Sequence, residues 1–125
     1  MSELRGVIVS HAAVAEALVA AVFAITGVDA ALVAVSNEGC DYTALAARLE
    51  RAVGQQPAVL FVDLPGGSCL TGAARYARGR TGLAVVTGVN LAMLLDFVFN
   101  RQTTPEAAAR RAMEAGAKAI RTPAA

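Results

Sequence analysis

The sequence contains no tryptophan, four phenylalanines, two tyrosines, two cysteines and a single histidine. With so few rings, the interior must be built from Val, Leu, Ile and Ala on closely packed helices and strands. Cys40 and Cys69 form no C-x-x-C pair, and with one histidine they fall short of a standard structural zinc site, so neither a metal nor another cofactor is expected. No charge of one sign dominates: eleven basic and ten acidic residues leave a net charge of +1. That balance offers no electrostatic basis for binding nucleic acid or anionic lipid. Long apolar runs are missing too. Residues 12–25 and 91–99 carry Glu16 and Asp96 and are too short or too interrupted to span a bilayer, which argues against direct membrane insertion. The opening Ser2-Glu3-Leu4-Arg5 lacks the basic start, long apolar stretch and cleavage signal of a secretory peptide. A cytoplasmic location is expected.

What is present is 125 residues, 56% of them hydrophobic, which suits one compact domain over residues 1–125. Gly6-Val7-Ile8-Val9 reads as a short strand, followed by Val14, Leu18, Val22 and Ile25 at helical spacing and a stop at Gly27. Leu32 to Val35 is a second strand; Leu45, Leu49 and Val53 form one stripe of a helix capped near Asp41. Val59 to Val62 is a third strand, a helix follows from about Cys69 to Ala77, and Leu83 to Val86 is a fourth strand. Leu91, Leu94, Leu95 and Val98 mark a fourth helix. Thr104-Pro105-Glu106 begins the last one, with a capping hydroxyl, a proline at the first helical position and an acid in the first turn; Gly116 is read as its end. Lys118 to Arg121 is read as a fifth strand, and Thr122 to Ala125 as a frayed tail. Strands that alternate with helices and are apolar on both faces predict an open, mostly parallel, doubly wound α/β sheet with helices on both faces. The expected strand order is 2-1-3-4, with an antiparallel C-terminal strand added.

Such sheets bind ligands beyond the carboxyl ends of their strands, where strand order reverses. The four ends here are Ser10-His11, Ser36-Asn37-Glu38, Asp63 with Pro65-Gly66-Gly67-Ser68, and Thr87-Gly88-Val89-Asn90. If strands one and three are neighbours, the only histidine meets the carboxylate of Asp63. A carboxylate bonded to one ring nitrogen fixes the tautomer and leaves the other nitrogen as an outward nucleophile. Gly66-Gly67-Ser68, leading into a helix, offers N–H groups and a hydroxyl to an anion. Together they point to a phosphorylated histidine. Taken singly, each has a plainer reading: a tight turn for Gly66-Gly67, a helix cap for Asn90, a packing residue for Cys69. Arg75, Arg78 and Arg80 read either as solvated charges or as a basic rim for an acidic partner.

Gly6-Val7-Ile8-Val9-Ser10-His11, Val62-Asp63-Leu64-Pro65-Gly66-Gly67-Ser68 and Gly88-Val89-Asn90-Leu91-Ala92-Met93-Leu94-Leu95 resemble, in combination, the mannose-type IIA domains of the bacterial sugar phosphotransferase system, and the likeness runs essentially end to end. The resemblance implies a phosphotransferase, commonly homodimeric, that accepts a phosphoryl group from the carrier HPr and passes it to a IIB partner serving a membrane IIC/IID permease. It implies His11 as phosphoacceptor through Nε2, Asp63 orienting it through Nδ1, and Ser68 with the amides of Gly66 and Gly67 holding phosphoryl oxygens. Ser10, Ser36, Pro65 and Asn90 are candidates for the site rim or partner surface. Pro65 replaces a bulkier residue usual in the family, and Cys69 and Ala92 replace prolines, which bears on partner choice. Two alternatives share the fold: a regulatory protein whose phosphorylation state controls a partner, and the phosphocarrier subunit of a dihydroxyacetone kinase. A serine hydrolase built on Ser68, His11 and Asp63 is disfavoured because Leu70 stands where the nucleophile elbow needs glycine. A receiver domain is disfavoured because the first strand ends in Ser10-His11 rather than an acidic pair.

Overall fold

The computed structural model describes residues 3–124. Its elements alternate as expected: β1 (Arg5–Ser10), α1 (Val14–Thr26), β2 (Leu32–Ser36), α2 (Tyr42–Val53), β3 (Ala58–Val62), α3 (Gly67–Ala77), β4 (Leu83–Thr87), α4 (Leu91–Val98) and α5 (Pro105–Lys118). The strands form one parallel sheet in the order β2-β1-β3-β4. Alternation along each strand divides the interior in two. Ile8, Val59, Phe61 and Val86 pack with α1, α4 and α5, whereas Val7, Val9, Leu60 and Val62 pack with α2 and α3. Helices on both faces explain why the central strands read as continuous apolar runs.

Local chemistry sets the helix limits. Asp41 accepts from the N–H of Ala44 at 2.8 Å, Asn90 from that of Met93 at 3.1 Å and Thr104 from that of Ala107 at 3.2 Å, each satisfying an otherwise orphaned amide. Gly27, at φ +70°, closes α1 by donating its N–H to the carbonyl of Phe23, a left-handed cap that suits glycine. No helix among the described residues is long and apolar enough to cross a membrane.

The chain's end differs from expectation. Helix α5 runs through Gly116 to Lys118, and residues 119–124 form no strand, so β4 is an edge of the sheet among the described residues. Ala125 of the expected frayed tail lies outside the described residues. The alanine-rich segment favours helix, and Gly116 is required by a neighbour rather than as a stop. A Cβ there would sit 2.5 Å from Met93 Cγ and 3.1 Å from Asn90 Oδ1, so its absence lets α5 lie close against α4.

A second close approach is central. A Cβ on Gly6 would lie 2.6 Å from Leu32 Cδ2 and 2.7 Å from Phe97 Cε2, and the Phe97 ring is held edge-on to Phe61 with centroids 5.2 Å apart. Gly6→Ala is therefore expected to destabilise the fold by about 1–3 kcal/mol through overpacking. The urea midpoint should fall with the slope unchanged; an unmoved midpoint would show that the ring yields at no cost.

Candidate functional site

The strand order reverses between β1 and β3, and the turns that leave those two strands build the site. After β1 the chain bends tightly. Ser10 is fully buried, and its hydroxyl accepts the N–H of Ala15 at 2.7 Å, steadying the start of α1 from outside the helix. Ala12 adopts φ 49°, a left-handed conformation that costs a non-glycine residue energy and that turns the chain sharply after His11. After β3, Asp63 continues the ladder by donating its N–H to the carbonyl of Val9 at 3.2 Å.

Histidine and carboxylate meet across this gap. Asp63 Oδ2 lies 2.8 Å from His11 Nδ1 and accepts the backbone N–H of His11 at 2.9 Å, while Oδ1 accepts the N–H of Leu64 at 3.0 Å. Burial works to raise the Asp63 pKa, but the His11 backbone N–H, the His11 ring and the Leu64 N–H together outweigh it and hold the carboxyl below its ordinary 3.8. An ionised carboxylate only accepts, so Nδ1 carries the proton and Nε2 of the neutral ring keeps its lone pair. Asp63 is 14% exposed and His11 43%, so the acid is sheltered while the ring reaches solvent.

The third part of the site comes from α3. Gly67, at φ +86°, brings the backbone beside the ring: a Cβ placed there would lie in contact, 3.9 Å from His11 Cε1 and 4.0 Å from Nε2. Any side chain at this position would be strained by that φ and would rest in contact with the nucleophilic edge. Unlike α2, α4 and α5, helix α3 has no side chain capping its first turn, which leaves amides available to an anion beside Nε2. The hydroxyl of Ser68 accepts the side-chain amide of Asn37 at 3.0 Å.

Cys69 is fully buried with Sγ 3.7 Å from His11 Nδ1. Burial, then the charge of Asp63, pushes its thiol up to about 11, so it stays a neutral packing group at physiological pH. The donor atoms of His11, Asp63 and Cys69 lie within 4.8 Å of one another, which makes them the residues that could hold a soft metal ion. Use of Nδ1 by such an ion would break the bond to Asp63, and the protonated thiol is a poor ligand.

The structure thus gathers His11, Asp63, Gly66, Gly67 and Ser68 at one edge, with exposed Pro65 in the same turn. It distributes the other candidates differently. Ser10 is inaccessible and belongs to the turn rather than to any partner surface. The Ser36 hydroxyl accepts the N–H of Glu38 within its own loop. Asn90 caps α4 and donates to the carbonyl of Gly116 at 3.1 Å, so its side chain joins α4 to α5. Asn37 was not among the candidates, yet it touches the site. The signal for it is register: Ser10 pairs with Ser36, so the residues one step further on, His11 and Asn37, face the same crevice.

Known proteins resemble the whole chain. The family model of the PTS system fructose IIA component matches residues 6–114. The mannose/sorbose-specific IIA subunit of the phosphotransferase system from Enterococcus faecalis superposes with a TM-score of 0.84 at 25% identity, covering 99% of this chain and 97% of that one. The phosphotransferase-system component EIIA from Streptococcus agalactiae gives 0.87 at 19% identity, with 95% and 96% covered. A sigma-54 interaction domain protein from Enterococcus faecalis gives 0.77 at 13% identity, with 96% and 95% covered. No curated protein matches the chain significantly in sequence.

Proposed function

The chain belongs to the phosphotransferase-system IIA components of the fructose-type family model, and from that premise we propose that it is a cytoplasmic phosphocarrier that takes a phosphoryl group from phospho-HPr on His11 and delivers it to a IIB partner. The observation that carries this reading is the 2.8 Å bond between Asp63 Oδ2 and His11 Nδ1, which leaves a lone pair on Nε2 of a ring that is 43% exposed. In the forward step Nε2 attacks the phosphorus in line, the N–P bond of the donor breaks, and the donor imidazole leaves with the electron pair. Asp63 stabilises the positive charge that develops on the acceptor ring. The uncapped first turn of α3 and the Ser68 hydroxyl receive phosphoryl oxygens, with Gly67 keeping the approach to Nε2 clear and Asn37 holding Ser68 in place. Phosphoryl transfer asks mainly for positioning and charge stabilisation, and these residues supply both.

A serine hydrolase finds less support: the Ser68 hydroxyl is bonded to Asn37, and no Ser68–His11 hydrogen bond exists among the described residues. The test of the proposal is incubation with phosphoenolpyruvate, the first enzyme of the system and HPr. A single acid-labile, base-stable phosphoryl group on His11 is expected. Failure to take up label from any phospho-HPr tried would turn the reading toward a regulatory relative.

A further inference from the structure

Away from the His11 edge, three arginines gather at the C-terminal end of α3 and in the turn after it. A groove of about 480 Å³ between α2 and α3, open to solvent, is lined by Tyr42, Thr43, Ala46, Gly72, Arg75 and Arg78, with Tyr76 and Arg80 at its end. The Arg75 guanidinium lies 4.4 Å over the centre of the Tyr42 ring, and that of Arg80 lies 4.1 Å over that of Tyr76. Arg80 is occupied: its Nε donates to the Tyr76 carbonyl at 2.7 Å and its Nη1 is 3.5 Å from Glu50. Arg75 and Arg78 are exposed, and among the described residues neither has a carboxylate within ion-pair distance. The acids of the facing helix are committed elsewhere, Asp41 to the cap of α2 and Glu50 to Tyr76 and Arg80.

A solvated arginine is mobile and makes a poor docking point. One held over an aromatic ring is already ordered, and its N–H donors stay free for a carboxylate. Beside it, Tyr42 is 44% exposed, and Ala46 and Gly72 leave the floor clear of bulky side chains. Arginine and tyrosine beside an apolar floor are among the residue types that dominate binding energy at protein interfaces. The openness of the groove and the spread of its cations along it fit a chain segment better than a small anion, which an enclosed pocket would hold.

We propose that the groove between α2 and α3 is a docking site for an acidic segment of a partner protein, whose carboxylates pair with Arg75 and Arg78 and whose apolar side chains rest on Tyr42. Arg75 lies about two turns along α3 from Ser68, so a partner held here remains beside the phosphorylation edge without covering it.

The experiment is a fluorescence-anisotropy titration of the intact chain with a labelled peptide of alternating Glu and Leu at low salt. Binding is expected to weaken by about tenfold or more in the Arg75→Gln/Arg78→Gln double variant and to fall also in Tyr42→Ala, which changes no charge. Phosphoryl uptake at His11 should be unchanged in both. The proposal is overturned if the wild type does not bind the peptide, or if the double variant binds it as well as the wild type. It is equally overturned if inorganic phosphate or a single-stranded oligonucleotide of matched charge competes as well as unlabelled peptide, since the site would then read charge alone.

Discussion

Replacing His11 with alanine is expected to abolish phosphoryl uptake from phospho-HPr while leaving the fold intact. The ring is the only imidazole in the chain, so no second nitrogen of this kind can accept the group. Its removal forfeits the ring's bond to Asp63 and that bond's share of stability, but the side chain is 43% exposed, so no packed core is lost. The link between β1 and β3 also survives, since the backbone N–H at position 11 still donates to Asp63 Oδ2. The measurement is transfer of radiolabel to wild type and variant, with circular dichroism showing that both are folded. A variant that still takes up label would be decisive against His11. If that label proved acid-stable and base-labile, it would be an ester, and Ser68 would be the residue to examine.

How much of this site can be read without coordinates depends on the kind of constraint at each residue. The pairing of His11 with Asp63 follows from topology: both residues end apolar strands, and a parallel sheet in the order β2-β1-β3-β4 makes those ends neighbours. Asp41 and Thr104 are legible because capping is local chemistry within a few residues. Gly116 is not, because its neighbour Met93 lies on another helix. A glycine required by a contact looks in sequence like a glycine required by a turn. Reading it as a stop released Lys118 to Arg121 for a fifth strand, whereas the helix persists to Lys118 and Ile120 is 79% exposed. Ser10 misleads in a similar way. A serine before a histidine suggests a site hydroxyl, but this one is consumed by the amide of Ala15.

The organisation of α3 ties fold to chemistry. Most helices that begin at the carboxyl edge of the sheet spend a side chain on their first turn, as α2 does with Asp41 and α4 with Asn90. In α3 that position is Gly66, which has no side chain to spend. Helix stability is given up where an anion would compensate for it, since a phosphoryl group bound there supplies the missing acceptor. Phosphorylated and unphosphorylated forms are therefore expected to differ most in the first turn of α3, as amide hydrogen exchange would show.

Asp63→Asn is expected to slow phosphoryl transfer by roughly 10- to 150-fold, the rate equivalent of a charge-assisted hydrogen bond worth about 1.5–3 kcal/mol. Two effects combine. The neutral amide cannot stabilise the charge that develops on the imidazole as Nε2 bonds to phosphorus. It also has one acceptor oxygen and one NH₂ where the carboxylate offers two acceptors, so the three N–H groups now bonded to Asp63 cannot all be satisfied. Stability should follow pH in a definite direction. The folded-state pKa of Asp63 lies below its ordinary 3.8, so ionised Asp63 favours the folded chain above that ordinary value, and the contribution is lost as pH falls through the lowered one. The wild type should therefore exceed Asp63→Asn in stability at neutral pH, with the gap narrowing only below about pH 4. Single-turnover transfer rates and urea unfolding at a series of pH values test both halves. A variant that transfers at the wild-type rate would remove Asp63 from the chemistry, and a stability gap independent of pH would show that its ionisation contributes nothing to stability.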